Sequence, residues 1–482
     1  MQRLSRMQHA FVDGDRRVVL AATAALCLAA GLLVGAYVSI LSPVWAVVAA
    51  VALAAGVLML HDTQWGLIAL IGLICLLPFG ALPFKLGFTP TFLDVALIAI
   101  YFVWLMRIAT GKVRGFLSSA LGLPIAIFLL LACASFVAGL GHSTLDQYVL
   151  RHFVEILLSI GLFFVVLNCV QTEKQLRALV VVLLLAGFAA ALIGIALYAL
   201  PRELSIRLLS ALGRVGYPTG SGVLRYIEDD PGLPQRAIST STDPNVLGGL
   251  LILITTLTAA QLFARAPLLP RLLLGTMALV EVLCLYLTYS RGSMLGLAVG
   301  LGLLAVVRYR RLIPVMIVAA ALLLLLPQAQ AYVQHLLEGL AQQDLATQMR
   351  LGEFKDAFLL IGRHPWIGVG FVGTPEGSLY LGVSNVYLLI AEEMGLIGLA
   401  CFLGILGLFF WQMSRAWAAV RTNPHLEAIL LGLTAAVAGI LVGGLLDHYF
   451  FNLAFPHSVS IFWLYLGLAM TAARIGTQMN AD

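Results

Sequence analysis

The chain has 482 residues, of which 61% are hydrophobic and only 11% are charged, and its mean hydropathy is +1.01. These values exclude an ordinary soluble domain and predict a protein that crosses a membrane many times. The formal net charge of +5 does not indicate nucleic-acid binding, because the basic residues are spread among short loops.

Apolar stretches recur along the chain and predict about twelve to fourteen transmembrane helices. The candidate spans lie near 18–41, 43–60, 65–83, 92–107, 118–140, 152–170, 178–200, 244–264, 272–290, 291–307, 313–327, 384–411, 427–447 and 456–473. We therefore expect an all-α, polytopic membrane helix bundle that forms a single integral membrane domain over residues 1–482.

The distribution of lysine and arginine predicts the topology. With a cytoplasmic N-terminus, alternate connections carry most of the 28 basic residues, including Arg265, Arg308 and Arg421, as the positive-inside rule requires. Both termini are then cytoplasmic. Two long polar segments, 201–243 and 328–383, face outward as the first and second outer loops. The first span is too long for a typical signal-peptide core, and no clear cleavage site follows it.

Cysteine and histidine give no sign of a metal site or a cofactor. All six cysteines lie in apolar spans, which predicts neither a disulfide framework nor a thiolate metal site. The histidines lack ligand spacing. We expect no metal and no cofactor.

Several charged or titratable residues lie on the predicted outer side of the first half of the chain, among them Lys85, Asp94, Arg151, His152 and Glu155. Such charges contact a lipid headgroup or point into a cavity. The headgroup contact is the simpler prediction.

The first outer loop begins with an apolar pattern, Leu204, Leu208, Leu212 and Val215, which predicts a short amphipathic helix. It ends in Asp243-Pro244-Asn245, where Asp243 is expected to cap the next helix. Arg236 lies beside this predicted helix N-terminus, where the helix dipole does not favour a cation. An anionic partner would explain it.

Two further places combine charge with apolar surroundings. Arg291 stands between two apolar spans with no room for a loop. It either pairs with a carboxylate or a set of carbonyl oxygens in a structural role, or it faces a polar cavity. Asp447 and His448 lie in a tight outer turn, as an acid/base pair or as interfacial polar residues among aromatic side chains. The interfacial role is the simpler of the two.

The second outer loop is the most favourable place for chemistry. Apolar residues recur after Arg350 at helical spacing and predict a helix lying at the membrane surface: Leu351, Phe354, Phe358 and Ile361. Pro365 ends this helix, and Gly368, Gly370 and Gly373 predict an irregular loop. Ser384-Asn385 is then expected to cap the next span.

Several sequence segments follow one another in a recognisable order: RAISTSTDPNVLGG, YSRGSMLG, Arg350 with its helix, HPWIGVG and NVYLLIAEEMGLIG. This order resembles the O-antigen ligase and polymerase superfamily of polytopic glycan-transferring membrane enzymes, and the resemblance runs from about Arg236 to the C-terminus. The family pattern, histidine-asparagine followed by glutamate-x-glycine-x-x-glycine, is matched by Asn385, Glu393, Gly395 and Gly398. The resemblance implies a GT-C-like membrane fold.

Enzymes of this family take a glycan from an undecaprenyl diphosphate carrier at the outer face of the bacterial cytoplasmic membrane. They attach it to lipid A–core or to another carrier-linked glycan. The resemblance implies that Arg236 and Arg350 hold the diphosphate, since guanidinium forks suit phosphate oxygens; Arg291 is a third candidate. The expected partners are a polyprenyl-diphosphate-linked donor, a glycan or glycolipid acceptor and membrane lipids.

The histidine that the family is thought to use as a base falls at position 384, which is serine here. A serine hydroxyl without an activating neighbour is not a useful general base near neutral pH. The candidate catalytic residues are therefore His448, Asp447, Glu393 and His364, with His448 or Asp447 preferred. Ser384, Asn385 and Asp243 are expected to complete the site.

Two other functions remain open on the sequence. One is a flippase or exporter of lipid-linked oligosaccharide, although such transporters usually contain two similar halves and no internal repeat is visible here. The other is a peptidoglycan-type polymerase that uses the same carrier. Ligase and polymerase activities are not distinguished.

Overall fold

The computed structural model describes residues 43–84, 88–111, 116–325, 345–374 and 382–479. Within these residues the chain forms 15 α-helices and one short two-stranded hairpin. Eight of the helices are long and apolar enough to cross a membrane. The prediction of an all-α, polytopic membrane protein is therefore confirmed. The predicted span near 18–41 and parts of the second outer loop, 328–344 and 375–381, lie outside the described residues.

The helices occupy almost all of the described chain. In order they are α1 (Pro43–His61), α2 (Gln64–Leu76), α3 (Phe92–Ala109), α4 (Gly122–Gly139), α5 (Gln147–Cys169), α6 (Glu173–Ala199), α7 (Arg202–Ala211), α8 (Pro244–Leu262), α9 (Arg271–Leu287), α10 (Arg291–Val307), α11 (Leu312–Leu325), α12 (Leu345–Arg363), α13 (Val386–Val420), α14 (Pro424–Gly443) and α15 (Pro456–Met479).

The described chain divides between Asp62 and Thr63 into two compact units. The first contains α1, whose side chains are largely exposed, as at Leu53 (72%). The second contains α2 to α15. The single integral membrane domain over 1–482 stays a prediction.

The centre of the second unit is formed by α8, α14 and α15. The apolar windows of these helices are 89%, 78% and 94% buried, whereas only 33% of the α3 window is. Small residues allow close packing: Gly296 of α10 and Gly439 of α14 face each other's backbone carbonyl. Such pairs of small residues are typical of helix contacts in membranes. The outer helices leave large apolar side chains uncovered, as lipid contact requires.

Both outer loops contain the predicted surface helices. In the first loop α7 buries Leu209, while Leu204 and Leu208 are 41% and 47% exposed. In the second loop α12 buries Leu360 and leaves Phe358 62% exposed. An apolar face that the protein does not cover is what a helix lying in a membrane interface needs.

The first outer loop also contains a hairpin that the sequence did not predict. Strand β1 (Arg225–Tyr226) pairs antiparallel with β2 (Gln235–Arg236), with Arg225 opposite Arg236. After β2 the chain docks on the end of α9, where the Ala237 amide donates to the Leu287 carbonyl at 2.8 Å. The hairpin thus brings the end of the first outer loop to the start of α8.

Helix α13 is broken at Gly395, where φ is 70°. The loop after α12 fits into the break: the Val369 amide donates to the Glu392 carbonyl at 2.8 Å, and the Leu396 amide donates to the Pro365 carbonyl at 2.7 Å. A Cβ atom at Gly395 would meet the loop backbone. Beyond the break α13 continues to Val420, nine residues past the predicted end of the span at 411.

Asp94, Arg151, His152 and Glu155, for which the sequence favoured a headgroup contact, contact one another near the starts of α3 and α5. The Arg151 Nη2 atom lies 3.1 Å from Asp94 Oδ2 and 3.0 Å from Glu155 Oε1. The His152 Nδ1 atom lies 2.6 Å from Glu155 Oε2, and the Glu155 side chain is only 2% exposed. These residues form an ion network inside the bundle.

Candidate functional site

Six charged or titratable side chains meet at one end of the second unit: Arg236, Asp243, Arg350, Glu353, Asp447 and His448. We call them the polar cluster. Their charges act on the pKa values of Arg236, Asp447 and His448. Asp243, Asp447 and Arg350 all influence the pKa of Arg236, and Glu353, Asp243 and Arg350 all influence the pKa of His448. Three chain segments that are distant in sequence therefore share one site.

Arg236 is fixed by hydrogen bonds to backbone and amide oxygen. Its Nε atom donates to the Thr288 carbonyl at 2.8 Å, and its Nη2 atom donates to Asn245 Oδ1 at 2.6 Å. Burial lowers the pKa of Arg236, but a guanidinium keeps its charge in proteins. Thr288 follows the C-terminus of α9, so the guanidinium does meet the negative end of a helix. The sequence argument that no helix dipole favours Arg236 was therefore wrong.

Asp243 caps α8, as predicted. Its Oδ1 atom accepts hydrogen bonds from the Asn245 amide at 2.7 Å and the Val246 amide at 3.0 Å. Pro244 occupies the first helical position. The capping role alone accounts for an aspartate here. Its charge nevertheless contributes to the polar cluster.

Arg350 and Glu353 project from neighbouring turns of α12. No hydrogen bond or ion pair joins the Arg350 side chain to another residue of the described chain. Glu353 Oε2 accepts a hydrogen bond from the Ser384 amide at 3.0 Å. Sequence reasoning missed Glu353. The available signal was a carboxylate about one turn after Arg350 on the same helix.

Asn385 joins the start of α13 to the turn after α14. Its Oδ1 atom caps α13 by accepting from the Tyr387 and Leu388 amides, each at 3.0 Å, which confirms the predicted cap. Its Nδ2 atom donates to the Leu445 carbonyl at 2.9 Å. The Val386 amide donates to the Asp447 carbonyl at 3.0 Å. Ser384 is thereby placed beside the Asp447-His448 turn.

Asp447 is buried and His448 is half-buried in the turn for which the sequence favoured an interfacial role. Burial, together with the charge of Asp243, raises the pKa of Asp447 to about 7 against the opposing effect of Arg350 and Arg236. Burial lowers the pKa of His448 below its usual 6.5, although Glu353 and Asp243 oppose this. The imidazole is therefore neutral near pH 7. Its Nδ1 atom is buried and has no hydrogen-bond partner among the described residues.

Two predicted catalytic residues lie away from the polar cluster. Glu393 is eight residues into α13, about 12 Å along the helix from Asn385. It is buried at the break, where the Gly370 amide and the Ser135 hydroxyl donate to its backbone carbonyl. His364 follows the last residue of α12, about 21 Å along that helix from Arg350.

Arg291 stands nearer to the polar cluster. It is the first residue of α10, three positions after the carbonyl that binds Arg236. The start of α10 is capped by the Ser290 hydroxyl. Of the other two arginines proposed from the sequence to bind diphosphate, Arg350 acts on the pKa of Arg236.

Residues 275–403 match the family model described as O-antigen ligase, which confirms the resemblance found in the sequence. Two similar proteins are each described as a probable peptidoglycan glycosyltransferase FtsW. The one from Thiomonas intermedia (strain K12) is 30% identical over 95 residues, or 19% of this chain and 22% of that protein. The one from Polynucleobacter necessarius subsp. necessarius (strain STIR1) is 30% identical over 90 residues, or 18% and 21%. The similarity thus spans about a fifth of each relative.

Proposed function

Because residues 275–403 of this chain match the family model described as O-antigen ligase, we propose that the chain is a membrane glycosyltransferase. It moves a glycan from a polyprenyl diphosphate carrier to a glycan or glycolipid acceptor at the outer face of the bacterial cytoplasmic membrane. It acts as a polysaccharide polymerase or as an O-antigen ligase, without a metal ion.

One observation carries this proposal: the charge of Arg350 acts on the pKa of Arg236, whose half-buried guanidinium is held in place by hydrogen bonds. Two cations so arranged repel each other, and Arg350 has no ion pair within the described chain. An anion with several oxygens removes this repulsion and accepts hydrogen bonds from the N–H groups of both guanidinium groups. The diphosphate of a lipid-linked donor has this chemistry.

The same arrangement suits bond cleavage. As the glycosidic bond breaks, the diphosphate gains negative charge, and cations already fixed in place stabilise that charge more in the transition state than in the bound donor. Arg236 is held by the Thr288 carbonyl and Asn245. It is therefore oriented before the donor binds.

The acceptor hydroxyl needs a group that takes its proton. We assign this role to His448, which is neutral near pH 7 and has an unpaired, buried Nδ1 atom. Glu353 lies close enough to raise the pKa of His448, so its carboxylate stabilises the imidazolium that forms. Glu353 also binds the Ser384 amide. A carboxylate from another segment thus contacts the position of the missing family histidine.

The test is transfer by the purified protein in detergent, with carrier-linked oligosaccharide and defined acceptors, followed by mass spectrometry of the products. We expect a new glycosidic product without added nucleotide or ion gradient. Arg350→Lys should lower turnover about a hundredfold, because a lysine point charge does not replace a bidentate contact. Lys355→Ala is the control, since Lys355 is an exposed cation on the same helix.

Unchanged turnover in Arg350→Lys would show that Arg350 is structural. Movement of intact donor across proteoliposomes without any product would instead identify a flippase. The similarity to the two FtsW proteins supports a second candidate, a peptidoglycan-type polymerase. Elongation of the lipid-linked peptidoglycan precursor, with no transfer from other carrier-linked glycans, would favour that candidate.

A further inference from the structure

A pocket of about 610 Å³ lies at the other end of the bundle from the polar cluster. Helix α10 begins beside the polar cluster at Arg291 and ends at this pocket with Val307, about 25 Å away along its axis. The connection after α8, the end of α13 and the start of α14 contribute to its wall. Its charged lining consists of Arg265, Arg308, Arg421 and Glu427.

The pocket has an excess of positive charge. Arg308 and Glu427 neutralise each other, since the Arg308 Nε and Nη2 atoms lie 2.8 and 3.5 Å from the two Glu427 carboxylate oxygens. Arg265 and Arg421 are exposed, and neither side chain has a hydrogen bond or ion pair within the described chain. Three arginines and one glutamate leave a net charge of +2 (3 − 1).

An apolar groove of about 210 Å³ continues from this pocket between α10, α13 and α14. Its walls include Leu303, Phe410 and Met413, and it shares Ser414 and Trp417 with the basic pocket. The Trp417 ring nitrogen is buried and has no hydrogen-bond partner in the part of the chain that the structure describes. A donor left unsatisfied in this way destabilises the protein unless a ligand oxygen accepts from it.

We propose that the basic pocket and the apolar groove together bind one anionic glycerophospholipid. The phosphate lies between Arg265 and Arg421, an ester oxygen accepts from Trp417, and an acyl chain fills the groove. Free phosphate has no part that would occupy the groove, and a neutral lipid leaves the two arginines without a counter-ion. Basic pockets between transmembrane helices commonly bind anionic headgroups. This site is separate from the polar cluster and does not depend on the proposed reaction.

The test uses native mass spectrometry of the full-length protein in detergent with added lipid. Phosphatidylglycerol and phosphatidylcholine with the same acyl chains are compared, and glycerol phosphate is added in a third arm. We expect the wild type to retain phosphatidylglycerol, and the Arg265→Ala/Arg421→Ala double variant to bind it about thirtyfold more weakly. Arg415→Ala is the matched control, because Arg415 is an exposed arginine of α13 that lines neither cavity.

A second variant tests the groove without changing the charge. Leu303→Trp fills the apolar part, so it should weaken phosphatidylglycerol retention while the arginines remain. Equal retention of phosphatidylcholine by the wild type would overturn the proposal. Retention of phosphatidylglycerol that neither variant reduces, or glycerol phosphate bound as tightly as the lipid, would also overturn it. A thermal melt of each variant confirms that the protein is folded.

Discussion

The imidazole of His448 and the carboxylate of Glu353 come from chain segments almost a hundred residues apart, yet the carboxylate acts to raise the pKa of the imidazole. A negative charge near an imidazole stabilises its protonated form. In acceptor activation this makes His448 a stronger base and helps to hold the proton that it receives.

We predict that His448→Ala lowers turnover about a hundredfold or more, with donor binding within a few-fold of the wild type.

Glu353→Gln should lower turnover about tenfold and shift the acid limb of the pH–rate profile to lower pH, because the pKa of His448 falls without the nearby carboxylate. Profiles of kcat between pH 5 and pH 8 measure both effects. A Glu353→Gln protein with reduced turnover but an unshifted limb would show that Glu353 acts only through the fold. Glu203→Gln, an exposed carboxylate of the first outer loop, is the control.

Asp447 should make donor binding depend on pH. With a pKa of about 7, its carboxyl is mostly neutral at pH 6 and ionised at pH 8. The added negative charge beside Arg236 and Arg350 opposes a diphosphate, so donor affinity should fall about tenfold over this range. In Asp447→Asn the affinity should be nearly constant, and the measurement is donor binding at pH 6, 7 and 8. A fall of the same size in Asp447→Asn would assign it to another group; Asp230→Asn, an exposed carboxylate, serves as the control.

Among the helices, the break in α13 allows the loop after α12 to pack directly against the helix backbone. The loop after α12 satisfies backbone groups that a continuous helix would bond internally, because the Val369 and Gly370 amides donate to the Glu392 and Glu393 carbonyls. A side chain at Gly395 would collide with the loop backbone. The positive φ of this residue adds a second reason for glycine.

We predict that Gly395→Ala lowers the free energy of unfolding by about 3 kcal/mol or more. Gly404→Ala is the matched control in the same helix, because a Cβ atom there meets nothing within 4 Å. It should change stability by no more than about 1 kcal/mol, and in the stabilising direction. Thermal midpoints of the two purified variants, followed by tryptophan fluorescence, provide the comparison. Equal midpoints would contradict the interlocked backbone.

Local signals in the sequence predicted the helix caps and the surface helices. Asp243 and Asn385 were predictable because a cap depends on a few adjacent residues. Contacts between segments were not. The carbonyl that binds Arg236 is 52 residues away, at Thr288, and the rotation of α12 that brings Glu353 to Ser384 depends on packing. The break at Gly395 was hidden because the apolar pattern continues on both sides of it.

At the scale of the whole molecule, the described helices place the charges of the predicted outer and cytoplasmic loops at opposite ends. Arg236, Arg350 and His448 meet at one end. Arg265, Arg308 and Arg421 meet at the other. The division agrees with the topology expected from the positive-inside rule, while the side of the membrane that each end faces stays a prediction.

We predict that the end with the polar cluster faces outward. In a protein whose native cysteines are replaced, Ser221→Cys and Lys355→Cys should react with an impermeant thiol reagent added to intact cells. Thr422→Cys should react only after permeabilisation. All three positions are exposed, so accessibility does not limit the reaction. The reverse pattern of labelling would invert the topology.

The interlock at Gly395 also affects how genetic data on this protein should be read. A screen that scores only loss of the glycan product would rank Gly395 and Gly370 with the catalytic residues. Gly395 belongs to the glutamate-x-glycine-x-x-glycine pattern of the family, and Gly370 ends the HPWIGVG segment. Yet a Cβ atom at Gly370 would meet the Ser135 carbonyl and the Gly139 backbone of α4, which contain no residue of the polar cluster. Alleles at these glycines should reduce the amount of protein in the membrane, whereas alleles at Arg350 or His448 should leave it normal. Protein abundance, measured beside product, therefore separates the two kinds of essential position.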